Sequence, residues 1–140
     1  DLYDFADRGA QIVLDVGTWF CEPCKSLAGW FSDGDTSELD EMGWWNDDFL
    51  PLREKVNSGE LYWITVVFSQ GDPVTQQDVA AWDEEWPNEH IPVLADTDLQ
   101  LQGYLQVSSM PNISVLDPDM SLVVWGQGTH PGLRYLVDSF

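Results

Sequence analysis

Gln11-Ile12-Val13-Leu14-Asp15-Val16-Gly17-Thr18-Trp19-Phe20-Cys21-Glu22-Pro23-Cys24-Lys25 is the stretch on which the fold turns. Residues 11–16 are short, apolar and rich in β-branched side chains, which predicts a buried strand. Beyond the cysteines, Leu27, Trp30 and Phe31 recur at spacings of three and four, which predicts a helix over 25–31. If Cys21 opens that helix, Cys24 shares its face, with Cβ atoms about 5–6 Å apart. A small adjustment then permits a disulfide, whose Cα atoms usually stand ~4.4–6.8 Å apart. The two thiols are not equivalent. Cys21 meets the unpaired N–H groups and the positive end of the helix dipole, which favour a thiolate. Cys24, one turn inside, is shielded and suited to resolving a mixed disulfide. Pro23 fits the first helical turn, where no N–H is needed. Glu22 places an anion beside Cys21 and opposes the thiolate, and Lys25, as a flexible ammonium in water, cancels only part of that. Spacing alone leaves open a fortuitous pair or an incomplete metal site. Two cysteines cannot complete a Cys₄ zinc site, and a structural staple more usefully closes a long loop, so the pair points to chemistry.

Working outward, residues 1–8 suit one or two helical turns ended by Gly9, and residues 32–41 form a polar, acidic break. Residues 44–56 read as helix with Gly59 as terminator, Pro51 marking a kink or a fresh start. Residues 61–68 (Leu-Tyr-Trp-Ile-Thr-Val-Val-Phe) are the strongest strand signal, continuous as in a central strand covered on both faces. A helix over 75–86, a short strand over 91–95 and a helix over 97–105 capped by Asp96 or Thr97 follow. Strands over 112–116 and 122–125 are joined by Asp117-Pro118-Asp119, and a helix over 131–140 has Pro131 in its first turn. Strands alternating with helices, closed by a hairpin and a last helix, predict an α/β sandwich with a mixed sheet.

The chain has 140 residues with 25 acidic and 5 basic ones, a formal charge of −20. That length suits one domain over 1–140. Hydrophobic residues at 44% and aromatics at 13% argue against disorder. The apolar runs are far shorter than the ~20 residues of a membrane helix. A charge of −20 repels phosphate backbones and anionic lipid, so nucleic acid is not an expected partner. The charge is first a matter of solubility. Asp1 rather than Met opens the chain, which suggests a removed leader or a soluble piece of a longer protein.

Asp15, the run from Gly17 to Lys25 and the later Met110-Pro111 together resemble the thioredoxin fold, most closely the extracytoplasmic thiol-disulfide oxidoreductases of the TlpA/ResA type. The family pattern is a strand, W-C-x-P-C-[KR], then a helix, and here Phe20 stands between Trp19 and Cys21. Aligned without a gap, Phe20 replaces the family's tryptophan and Asp15 falls six residues before Cys21. The resemblance implies that Asp15 accepts the proton of the resolving thiol Cys24. It also implies that Pro111 is a cis-proline, leaving the backbone of Met110 free to pair with an extended substrate. Trp19, Phe20, Met110 and Pro111 are therefore the substrate-binding candidates, and Glu22, Pro23 and Lys25 the residues that tune Cys21. Cys24 and Pro111 lie farther apart than a minimal thioredoxin needs. The surplus falls within 32–60 and in an added helix–strand segment within 75–95.

The implied activity is reduction of protein disulfides, without cofactor or metal, by a monomer that is periplasmic or secreted, with tethering through a removed N-terminal segment open. Its partners are protein thiols and disulfides and a membrane-bound thiol electron donor. The electrostatics suggest a potential nearer about −270 mV than the about −120 mV of a strong oxidase. Two other readings stand beside it. A thiol peroxidase needs P-x-x-x-[ST]-x-x-C, and Leu14 occupies the proline position although Thr18 is in place. An interaction module would use Cys21–Cys24 only as a staple. Elsewhere, Asp33 to Glu38 fails the EF-hand pattern, His90 and His130 are isolated, and Asn112-Ile113-Ser114 is a sequon inside a predicted strand. Trp44, Trp45, Trp82 and Trp86 either pack the core or line an exposed groove.

Overall fold

In the computed structural model, which describes residues 2–140, β1 (Gln11–Gly17) is the middle strand of a five-stranded sheet. It is buried on both faces, as its unbroken apolar run requires. β1 pairs in parallel with β2 (Leu61–Val67), setting Asp15 opposite Thr65 and Val13 opposite Trp63. On its other side it pairs antiparallel with β4 (Asn112–Leu116), which continues into the antiparallel β5 (Leu122–Gln127). The short β3 (Val93–Ala95) adds in parallel outside β2, so the order is β3-β2-β1-β4-β5.

Helices cover both faces and complete an α/β sandwich of the thioredoxin type. One face carries Val13, Trp63, Ile113 and Val115 against α1 (Glu22–Asp33), α3 (Leu50–Ser58) and α6 (Thr129–Asp138). α4 (Gln76–Glu85) covers the β2 end of that face through Val79 and Trp82. The opposite face, with Ile12, Leu14, Val16 and Ile64, packs against Leu105 of α5 (Gln100–Leu105) and against Leu2 and Phe5 of an N-terminal 3₁₀ turn. The expected N-terminal turns thus contract to Leu2–Phe5, and the expectation for Asp1 lies outside the described residues.

α1 is held by groups from distant segments. Gly34, at φ 88°, ends the helix in the left-handed region and donates its N–H to the Trp30 carbonyl at 2.9 Å. Arg53 Nε donates to the Phe31 carbonyl at 3.1 Å, and its Nη2 to that of Ser32 at 3.0 Å. The guanidinium satisfies orphan carbonyls at the negative helix end. Asn88 Nδ2 adds a bond to the Phe31 carbonyl at 2.9 Å. The surplus segments therefore brace the helix that carries the cysteines.

Three local expectations need correction. Residues 32–41 are not all loop, because α2 (Ser37–Glu41) forms there, buries Leu39 and binds α1 through Ser26 Oγ donating to Glu38 Oε2 at 2.6 Å. Residues 44–46 are not helical. Asn46 accepts the Asp48 N–H, a 3₁₀ turn spans Asp47–Phe49, and Pro51 lies in the first turn of α3. Thr97 does not cap α5, because its hydroxyl donates to the Val74 carbonyl, whereas Asp96 takes the N–H groups of Leu101 and Gln102 at 3.2 and 2.7 Å.

Candidate active site

Cys21 is the N-cap of α1, with extended backbone at φ −86° and ψ 97°. Its Sγ accepts the Cys24 N–H at 3.2 Å, and its carbonyl accepts those of Cys24 and Lys25 at 3.0 and 3.1 Å. The sulfur therefore occupies the place that a capping oxygen usually fills, where helix N–H groups stabilise negative charge. Pro23 sits in the first turn. Cys21 and Cys24 are joined as a disulfide with Cα atoms 5.2 Å apart. Cys21 is 8% exposed and Cys24 3%.

The inner sulfur rests on β1. A Cβ built on Gly17 would lie 2.7 Å from Cys24 Sγ and 3.2 Å from Cys24 Cβ, so only glycine leaves room for the sulfur there. Asp15 is two residues earlier and on the same face of the strand. At about 3.3 Å per residue its side chain stands one step, ~7 Å, further along from the sulfur's seat. The Asp15 carboxyl is buried, and Trp63 Nε1 donates to its Oδ2 at 3.4 Å. Among the described residues, Oδ1 has no hydrogen-bond partner. Burial pushes the Asp15 pKa up to about 7, with the Trp63 bond pulling weakly the other way. A void of about 10 Å³ bordered by Asp15, Thr65, Trp82 and Asn88 is at the lower limit of what holds one water.

The outer side is open. Phe20 is 85% exposed, while Trp19 packs edge-on against Trp82 with centroids 5.2 Å apart. A groove of about 600 Å³ is bordered by Trp19, Phe20, Phe68, Pro73, Val74 and Met110. The Met110–Pro111 peptide bond is cis. Pro111 itself is buried and does not border the groove, whereas Met110 is 38% exposed. Trp82 is buried and Trp45 packs on Trp30 at 5.1 Å, so these two join the core, whereas the half-buried Trp86 packs on Trp82 at 4.5 Å and also borders an open hollow along α1. Trp44 is half-buried.

Glu22 and Lys25 differ from the sequence-based picture of an anion beside a loosely opposing cation. Lys25 Nζ lies 2.8 Å from Glu22 Oε1, so the two charges form one exposed pair. Two further residues at the site escaped the sequence reading. Gly17 was readable in principle, being two places after Asp15 on one strand face. Trp63 was not, because its bond to Asp15 depends on the β1–β2 register.

No protein-family model matches the chain, and no curated protein is similar to it in sequence. Solved structures are similar in architecture. A putative thiol:disulfide interchange protein DsbE from Chlorobium tepidum superposes with TM-score 0.62 at 16% identity, over 99% of this chain and 80% of that one. An exposed lipoprotein thioredoxin of Streptococcus pneumoniae gives 0.60 at 20% identity, over 99% and 90%. The DsbF protein of MTB gives 0.61 at 16% identity, over 98% and 84%. With its cysteine pair at the start of the helix after the central strand, the chain has the thioredoxin fold and is similar in architecture to thiol-disulfide oxidoreductases.

Proposed function

We propose that the chain is a single-domain thiol-disulfide oxidoreductase that reduces protein disulfides outside the cytoplasm. The observation that carries this reading is the Cys21–Cys24 disulfide at the N-terminus of α1, with the buried carboxyl of Asp15 one step behind the inner sulfur. In the reduced state, the Cys21 thiolate attacks one sulfur of a substrate disulfide. A Cys21–substrate bond forms, and the first substrate thiolate leaves and takes up a proton. Cys24 then passes its proton through an intervening water to Asp15, and its thiolate attacks Cys21 Sγ. The second substrate thiolate is released, and two electrons have passed from the cysteine pair to the substrate. Asp15 suits this role because its pKa near 7 lets it take and return a proton at neutral pH.

Phe20 and Met110 offer the substrate apolar contact beside Cys21, and the Met110 backbone next to Pro111 offers a strand to pair with. Glu22, Pro23 and Lys25 set the environment of the outer sulfur. A membrane-bound thiol donor would restore the dithiol, and the enzyme would work as a monomer. The exposed lipoprotein among the similar structures supports the extracytoplasmic assignment.

The test is dithiothreitol-driven reduction of insulin. The wild type should accelerate it well above the uncatalysed rate. Cys21→Ser should abolish turnover, and Cys24→Ser should abolish it while trapping mixed disulfides through Cys21. No acceleration by a folded wild type would instead assign Cys21–Cys24 to a structural staple.

A further inference from the structure

The charge around the disulfide is one-sided. All five Lys and Arg side chains are already engaged. Lys25 pairs with Glu22 at 2.8 Å, Lys55 with Glu60 at 3.0 Å and Arg134 with Asp48 at 3.0 Å. Arg53 is spent on the α1 carbonyls, and Arg8 lies over the Phe5 ring at 5.7 Å. Carboxylates, by contrast, flank the cysteine pair on both sides. A hollow of about 490 Å³ along α1 is bordered by Glu22, Asp33, Asp35, Glu38 and Glu85, with Lys25 its only cation among the described residues. Across Cys21, the apolar groove of Trp19, Phe20, Phe68 and Met110 has Asp72 and Asp78 on its rim and no cation. Hydrogen bonds from the Thr75 hydroxyl and, secondarily, its N–H, both 2.7 Å, hold the Asp78 carboxyl below its usual range, so it is charged at neutral pH.

Resting on the oxidoreductase reading, we infer that the substrates of this site are cationic polypeptides: segments in which an apolar side chain neighbours the disulfide cysteine and Lys or Arg flanks it. The apolar residue enters the groove between Phe20 and Met110, and the basic residues face Asp72, Asp78 and the carboxylates along α1. An acidic segment brought to the same sulfur meets like charge on both sides and, among the described residues, no free cation to offset it. Unsatisfied like charge is a strong means of excluding wrong partners, and it acts chiefly on the encounter rate. Because these groups are exposed, the preference is screened by salt, within a Debye length of about 10 Å at 0.1 M.

Two synthetic peptides test this. Both carry Ala-Cys-Phe-Ala, dimerised through the cysteine, one flanked on each side by two Lys and the other by two Glu. Reduction is followed with dithiothreitol as donor at 50 mM and 1 M NaCl, the fold being checked by near-ultraviolet circular dichroism. Each kcat/KM is divided by the uncatalysed dithiothreitol rate for the same peptide, which removes the intrinsic reactivity of the two disulfides. The Lys peptide should be favoured at least tenfold at 50 mM, falling below about threefold at 1 M. Asp72→Asn should reduce the low-salt ratio about twofold, and Phe20→Ala should raise KM for both peptides. Equal normalised rates, preference for the Glu peptide, or a ratio indifferent to salt would overturn the substrate class and leave the oxidoreductase reading standing. Failure to reduce either peptide, or insulin, would overturn both.

Discussion

The two sides of the Cys21–Cys24 bond are different solvents. Inside, Cys24 rests on Gly17 and faces a strand on which Asp15 is the buried acid, with an indole as its hydrogen-bond donor. Outside, Phe20 projects into water beside a groove rimmed by Asp72 and Asp78, and Glu22 pairs with Lys25 on the first turn of α1. A unit charge at 4 Å is worth about 1 kcal/mol in water and several times that at the effective dielectric of a protein interior. One carboxyl on the inner side therefore outweighs several on the outer side in setting equilibria, while the outer charges act on encounter. Under the proposed function, the inner side would set the energetics of the sulfur chemistry and the outer side would select what arrives.

Asp15→Asn tests the inner side with the largest effect. In the unfolded chain the carboxyl ionises near its ordinary value of 3.8, in the folded protein near 7. As pH rises from 4 to 8 the unfolded state loses its proton first, so the folded state is penalised progressively, and the penalty levels off above pH 7. The gap corresponds to about 4 kcal/mol. Asp15→Asn should therefore raise the melting temperature relative to wild type at pH 8 and change it little at pH 4. The same variant should slow release of substrate from the Cys21 mixed disulfide. A melting difference that is the same at both pH values would remove the buried-acid account.

Gly17→Ala acts on the same sulfur by contact rather than charge. In the dithiol, Cys24 Sγ can rotate away from a new methyl group, whereas the bond to Cys21 holds it in place. The oxidised form should lose about 1–2 kcal/mol more than the reduced form. At ~30 mV per 1.4 kcal/mol, the potential should rise by about 20–40 mV. Equilibration with glutathione measures it, and an unchanged potential would mean that β1 yields instead.

What the sequence revealed and what it hid divide along the distance between partners. The strand at 11–16, the cysteine pair and the helix after it were legible because β-branching, 3.6-residue spacing and a capping position are local properties. The hairpin around Asp117-Pro118-Asp119 was legible for the same reason. α2 was not, because its acidic residues show no apolar stripe and its place is fixed by one Leu39 and by Ser26 reaching Glu38 from another helix. Thr97 was an equally good cap on paper, until Val74 claimed its hydroxyl. The bond from Trp63 to Asp15 required knowing that β1 and β2 pair with Val13 opposite Trp63. The pairing of Glu22 with Lys25 was visible as an i,i+3 spacing, but whether the cation faced its neighbour or the sulfur was a matter of rotamers.

That last point sets the smallest prediction. Removing a lone anion beside Cys21 would lower the thiol pKa and raise the potential by tens of millivolts. In the structure the anion is not alone, because Lys25 Nζ is bonded to Glu22 at 2.8 Å and their side chains are 29% and 75% exposed. Glu22→Gln removes the negative charge and also the anchor that holds the ammonium near the helix start. Freed, Lys25 moves into water, and its stabilisation of the thiolate falls at the same time as the opposition of Glu22 disappears. The two changes have opposite sign at the sulfur, and exposed pairs of this kind are worth at most about 1 kcal/mol in any case. The potential should therefore rise by less than about 10 mV, corresponding to ~0.5 kcal/mol. Lys25→Gln leaves Glu22 as a lone anion with no second change to offset it, and should lower the potential by more, up to about 20 mV for ~1 kcal/mol. The double variant should sit within error of wild type. A rise of 30 mV or more in Glu22→Gln alone would show that Lys25 stays at the helix start without its partner, and that the outer side carries more electrostatic weight than its exposure allows.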